Sequence, residues 1–439
     1  MRQQQRGAAV VGRVPTSDSA AAGPRLDGHT GTPVRPLWVR SREIDDAEAA
    51  RLTTAGELCW LTDGHELAGW GAALRIGVGT GRGRFNDAAE TFARHVAAMD
   101  IVDQAHAATR PLAFCSFTFD PSSHDSVMVV PRVVVRRRAG RAWLTMISDQ
   151  PVTPRDLVPP PVTAVTGIGR VRYAGTTATE IDWIDAVDRA VRRIRHGEAE
   201  KVVLARDRVV YSHEPFEATA LLRRLRASFP SCFTFHVAGL IGASPELLIR
   251  REGAQITSLV LAGTARRGRD ATEDSSLGDA LLRSAKDLAE HRPAVTDVRG
   301  VLDALVTQLD VDDHPTLLRL ANVQHLATRM SGRLHKPVHA LHVAGLLHPT
   351  AAVGGTPRDV ALAMIAELET IDRGRYAGPV GWVDAAGDGE LAIALRCAQL
   401  TGARARLFAG AGIVADSLPE NELEETRLKL RAMQSAFEG

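Results

Sequence analysis

Apolar and polar positions change rhythm several times along the chain, and each change marks an element. From Leu37 to about residue 80, strand-length apolar runs and two-residue alternation recur in LWVRSREI, ELCWLTD and LAGWGAALRIGVG, the pattern of half-buried or buried strands. A helix is predicted near residues 86 to 99. More strands follow at PLAFCSFTFD and VMVVPRVVVRRRAGRAWLTMIS, the second read as a hairpin turning at Ala139 and Gly140. A Pro-rich connection then runs from about residue 151 to 165 through Pro159, Pro160 and Pro161. Beyond it Ile184, Val187, Ala190, Val191 and Ile194 repeat at the helical period within residues 183 to 196. Strands and helices then alternate irregularly, without the βαβ rhythm of a doubly wound sheet, and no internal repeat stands out. The pattern predicts one α+β fold with large, mostly antiparallel sheets flanked by helices. Residues 1–35, rich in Gly, Ala, Gln, Ser, Thr and Pro without period, read as a disordered leader. Residues 36–150 form an N-terminal strand-rich half, and residues 151–439 a C-terminal half of the same fold that holds the chemical motifs.

Composition narrows the partners. With 53 Lys plus Arg against 52 Asp plus Glu, the protein has no net electrostatic reason to seek nucleic acid or an anionic membrane. No apolar run approaches the ~20 residues that span a bilayer. Arg2 and Arg6 are not followed by the apolar core of a signal peptide. Cys59, Cys115, Cys232 and Cys397 form no CxxC, which argues against a zinc site or a disulfide framework and for a reducing cytoplasm. Short connections suggest a self-contained monomer. Only Lys201, Lys286, Lys336 and Lys429 are lysines, which leaves 53 − 4 = 49 arginines. Guanidinium stays charged in proteins, so these few lysines are candidates for work that requires losing a proton.

Three of them fall in segments with chemical character. Lys201 opens the predicted strand EKVVLARDRVVYS; a lysine against apolar surface or beside a bound cation can serve as a general base, although the same position also suits an exposed strand end. Glu246 follows Ser244 and Pro245 in LIGASPELLIRR, where it is either a cap or exposed charge or a general acid raised by an apolar pocket. LVLAGTARRG reads as a strand ending in a Gly-Thr turn that could offer amides to an anion, and LHPTAAVGGTPRD as a Pro/Gly loop. GRYAGPVGWVDAAGDGELAIALRCAQL reads as a hairpin turning at residues 387 to 389, with Arg396 late in its second strand. In LFAGAGIV, Gly410 and Gly412 lack the Cβ atoms that would keep a ligand from the backbone. GVGTGRGRF fits neither phosphate-loop pattern and reads as a turn before a helix. Finally, KDLAEH places Asp287 and Glu290 three apart in a helix expected to run to about residue 309, and ENELEETRLKL does the same with Glu422 and Glu425, with Lys429 on the same face. One such pair is usually a solvated face. Two helices carrying a pair each can cage a hard divalent cation such as Mg²⁺.

Taken in order, KVVLAR, GASPELL, LAGTARRG, KDLAEH, HPTAAVGG, GPVGW, ALRCA, FAGAGI and ELEET resemble the chorismate-utilising enzymes. That family includes isochorismate synthases, salicylate synthases, anthranilate synthase large components and aminodeoxychorismate synthases. The resemblance is dense over residues 165 to 435 and weak over 36 to 150. It implies the anthranilate synthase large-component fold and a Mg²⁺ ion ligated by Glu290 and Glu422, supported by Asp287 and Glu425, that holds the ring carboxylate of chorismate. It also implies that Arg396 grips the enolpyruvyl carboxylate with Tyr376 and the amides around Gly410 and Gly412. Gly263 and Thr264 would line the ring, Lys429 would stand near the metal-bound carboxylate, and His325 in the pocket. One departure is Asp287, where many relatives have Glu. Ala262 stands where aminodeoxychorismate synthases carry an attacking lysine, and Lys201 where anthranilate synthases have glutamine. By resemblance, then, Lys201 would activate water for attack at C2 and Glu246 would protonate the departing C4 hydroxyl, giving isochorismate for the biosynthesis of menaquinone, a siderophore or another aromatic product. The intact set argues against a silent binder. A salicylate synthase, which also eliminates pyruvate, is the alternative; the small Ala351 and Ala352 look more like the isochorismate synthases.

Overall fold

A computed structural model describes residues 25–26, 36–102, 107–162 and 167–438. Of the expected leader it describes only Arg25–Leu26, a short strand beside Leu74–Gly77; the rest lies outside the described residues. Among the described residues, two sheets of eleven and thirteen strands form, and their pairings are antiparallel apart from that short strand and the pairing of Trp38–Ile44 with Asp100–Ile101. This is the expected α+β architecture.

Both sheets are stitched from both halves of the chain. In one, Leu112–Ser116 pairs with Pro379–Asp384; in the other, Leu58–Thr62 pairs with Phe233–Val237. A single apolar cluster draws side chains from the two sheets, including Trp60, Phe114, Phe235, Leu204 and Val260. The buried Trp60 indole spans the layers and donates to Glu390 Oε2 at 2.9 Å. The tight hairpin at Ala139 and Gly140 is as read from sequence: both residues have positive φ, 51° and 73°, as a two-residue turn between twisted strands requires.

Three expectations change. The helix carrying KDLAEH is Ala285–Asp303, shorter than its apolar period suggested, because Val306–Val311 leaves it to pair with Val323–Leu334. The strand Gln255–Arg266 does not end at Gly263 and Thr264. It carries a bulge there, with Gly263 at φ 77° and the register shifting between Ala262 and Thr264; an extra residue re-aims side chains without ending the strand. Arg396 lies beyond its hairpin strand, which ends at Ile393. It sits at φ 47°, where the chain turns from one sheet into Cys397–Thr401 of the other.

The last helix is Pro419–Glu438. The strands Lys201–Ser212 and Arg404–Ile413 lie side by side within the larger sheet. A buried ion pair anchors the first of them: Arg373 Nη2 meets Glu369 Oε1 at 2.5 Å and donates to Val203 O at 2.7 Å. Nη1 of the same arginine donates to Val353 O at 2.9 Å, and Glu369 Oε1 accepts from the Ala205 amide at 2.7 Å. Glu369→Ala would strand a buried guanidinium and is expected to cost about 3 to 5 kcal/mol. Urea denaturation checks this, and an unchanged midpoint would show that the pair does not support the sheet.

Candidate active site

A cleft between the two sheets spans about 630 Å³, its open mouth included. Ten of the residues singled out from sequence line it: Glu246, Gly263, Thr264, Glu290, His325, Tyr376, Arg396, Gly410, Gly412 and Lys429. Lys201, Asp287, Glu422 and Glu425 are not part of its wall.

Strand alternation explains one side. Lys201, Val203 and Ala205 share a face, and across the ladder Gly412 opposes Val203 while Gly410 opposes Ala205. A Cβ on Gly412 would lie 2.3 Å from Glu290 Oε1 and 2.9 Å from Lys201 Cε. Only glycine leaves room for the Lys201 ammonium, its side chain 1% exposed, to reach Glu290 Oε1 at 3.2 Å and Glu290 O at 3.3 Å. Lys201 is therefore buried behind the cleft, and the reading of an exposed strand end is excluded. A Cβ on Gly410 would come within 3.1 Å of Tyr376 Oη. The Tyr376 ring stacks on Phe408 with centroids 5.1 Å apart.

The opposite wall depends on the bulge at Gly263. It brings Thr264 beside His325, with Thr264 Oγ1 3.1 Å from Nδ1. Arg396 Nη2 donates to His325 Nε2 at 2.7 Å, which assigns the proton to Nδ1, facing Gly263 O at 3.2 Å. Burial, then Arg396 and Lys429, hold His325 well below the ordinary histidine range, so it is a neutral acceptor that orients the guanidinium. Arg396 Nε is buried without a hydrogen-bond partner among the described residues. An unmatched buried donor beside a cleft is suited to an anion. Lys429 adds a second cation, bonded to Gly410 O at 2.9 Å and to Glu425 Oε1 at 2.6 Å.

Glu246 occupies the turn between Leu240–Ser244 and Leu247–Glu252. Burial raises its pKa to about 8, despite a hydrogen bond from the Leu261 backbone and the charges of Lys201, Arg396 and Lys429. It is thus a protonated acid at neutral pH.

The four other acids do not converge on a point. Among the described residues, no three His, Cys, Asp or Glu side chains stand as a ready metal cluster. Glu290 is held by Lys201, Glu422 by Lys286 at 3.0 Å and Glu425 by Lys429. Asp287 packs behind the bulge, its Cβ 3.1 Å from where a Gly263 side chain would begin. Burial and the neighbouring Glu425 nevertheless raise Glu422, against the pull of Lys286. Hard oxygen donors of this kind are what a Mg²⁺-sized cation requires.

Sequence reading missed the apolar wall of Val203, Leu261, Val353, Leu395 and Phe408; their alternation marked them as buried but not which cavity they face. It missed the Glu369–Arg373 clamp as well, whose spacing is that of any helical ion pair.

A cleft between antiparallel sheets, with fixed cations and one neutral buried carboxyl, defines an enzyme site for a small anionic molecule. Residues 166–438 match the family described as chorismate binding enzyme, and the chain belongs to that family. It is 41% identical over 268 residues to the isochorismate synthase DhbC of Bacillus subtilis, covering 58% of this chain and 67% of that protein. It is 45% identical over 259 residues to the salicylate biosynthesis isochorismate synthase of Pseudomonas aeruginosa, covering 58% of this chain and 54% of that protein. The aligned stretch thus spans about half to two thirds of these relatives. The solved structure of MenF, the menaquinone-specific isochorismate synthase from Escherichia coli, superposes with a TM-score of 0.77 at 27% identity, covering 93% of this chain and 97% of that one.

Gly412→Ala is expected to part the Lys201–Glu290 pair and to cost about 1 to 3 kcal/mol through overpacking. Urea denaturation measures it; wild-type stability would mean that the floor of the cleft yields freely.

Proposed function

We propose that the protein is a Mg²⁺-dependent isochorismate synthase. The observation that carries this reading is the buried Glu246, protonated up to about pH 8, in the same cleft as Arg396 and Lys429 and within electrostatic reach of Lys201.

Chorismate is a dianion. Arg396, oriented by His325 and with its Nε unmatched, would take the enolpyruvyl carboxylate, with Tyr376 and the backbone at Gly410 and Gly412 beside it. Glu290 and Glu422 would hold Mg²⁺, with Asp287 and Glu425 in support and Lys429 close by. Bound there, the ion would neutralise and orient the ring carboxylate. Gly263 and Thr264 line the cleft and would flank the ring, and Ala262 offers no nucleophile for a covalent adduct.

Lys201, as general base, would accept a proton from water as the water oxygen bonds to ring C2. The ring double bonds shift, the C4–O bond breaks, and Glu246 gives its proton to the departing hydroxyl, which leaves as water. Lys201 ends protonated and Glu246 ionised, and exchange with solvent resets both. A positioned acid or base of this kind contributes about 10² to 10⁴ in rate. The four cysteines, free and buried, support a cytoplasmic address, and the product would enter menaquinone or siderophore biosynthesis.

Incubation with chorismate and Mg²⁺, followed by chromatography with lactate dehydrogenase and NADH present, should yield isochorismate without stoichiometric pyruvate. Equal salicylate and pyruvate would establish a salicylate synthase instead, and unchanged chorismate a silent binder. Because Glu246 acts in its protonated form, kcat/KM should fall as pH rises through about 8. Glu246→Gln should lower kcat by about 10² to 10⁴ and remove that alkaline limb; a limb of full size in the variant would refute the assignment.

A further inference from the structure

Lys286 has no part in the chemistry above, yet its ammonium lies among the acids assigned to the metal. It projects from the first turn of the helix Ala285–Asp303, which also carries Asp287 and Glu290. Its Nζ is 3.0 Å from Oε1 of Glu422, a side chain only 1% exposed. The first turn of a helix disfavours a cation, because the dipole there is positive. The acids it faces, on its own helix and on Pro419–Glu438, account for the placement.

The three lysines on these acids are not equivalent. Lys201 is buried and also bonds Glu290 O, and Lys429 also bonds Gly410 O, so both are tied to backbone. Lys286 makes its hydrogen bond to the Glu422 carboxylate, and its side chain is 39% exposed, with solvent available to receive it. A Mg²⁺ ion draws oxygen ligands to about 2.0 to 2.1 Å and leaves no room for an ammonium against the same carboxylate oxygen.

We propose that Lys286 is a tethered counter-ion that holds Glu422 when no metal is bound and is displaced into solvent when a divalent cation enters, so that metal binding exchanges one cation for another. The proposal rests on the Mg²⁺ reading above. It makes wild-type metal affinity weaker than the carboxylates alone would give, and the metal-free protein more stable than it would be without the lysine.

Lys286→Met keeps the length of the side chain and removes the charge. Calorimetric titration with Mg²⁺, and Mn²⁺ titration followed by electron paramagnetic resonance, should show the variant binding metal about tenfold more tightly, between the bulk-water and partly buried values of one charge at contact distance. Its metal-free Tm should fall while its Mg²⁺-saturated Tm stays near wild type. Lys286→Arg, which keeps the cation, should bind metal no more tightly than wild type. Equal or weaker binding by Lys286→Met, with Glu422→Gln still abolishing binding, would overturn the counter-ion role and leave the metal site standing. Failure of the wild-type protein to bind either ion would overturn both.

Discussion

The contact between Lys201 and Glu290 ties the parts of this molecule together. It joins a strand of the larger sheet to a helix that packs on the smaller one, and it does so through a point where the intervening strand has no side chain. The Glu369–Arg373 clamp fixes the backbone on one side of that point, and Gly412 empties the other. A buried ion pair of this kind is costly to form, because both charges leave water. It persists because Lys201 also finds the Glu290 carbonyl. The geometry thus leaves the Glu290 carboxylate facing the cleft and the Lys201 side chain behind it.

Charge in the site is arranged by contrast. Glu246 and His325 are neutral for the same reason, burial, although one gains a proton from it and the other loses one. Around them Arg396, Lys201, Lys286 and Lys429 each have a hydrogen-bonding partner. The two sheets make this possible by supplying different parts of the wall. The glycine-bearing strand gives close backbone, while the bulged strand gives the oriented imidazole. Neither sheet alone would enclose a charged ligand.

Much of this was legible from sequence, and the failures have physical causes. Strands were readable because their apolar alternation is a local property, and the turn at Ala139 and Gly140 is local too. The helix ending at Asp303 was overextended because an apolar period cannot distinguish a helix that stops from a strand that begins. The bulge at Gly263 was read as a turn because both use a glycine at positive φ. Arg396 was placed in a strand because nothing local announces that the chain changes sheets there. Resemblance brought together residues that are far apart in the chain. It could not reveal that Lys286 holds Glu422, since that depends on side-chain packing between two helices.

The interleaving of the sheets also bears on how the protein is made. Lys201–Ser212 pairs with Arg404–Ile413, so roughly 200 residues must follow it out of the ribosome before its neighbour exists. At about 5 to 20 residues per second that is a delay of roughly 10 to 40 s, during which an apolar strand has a bare edge of the kind that recruits other chains. The same strand that carries the buried lysine is therefore one that the nascent chain must shelter.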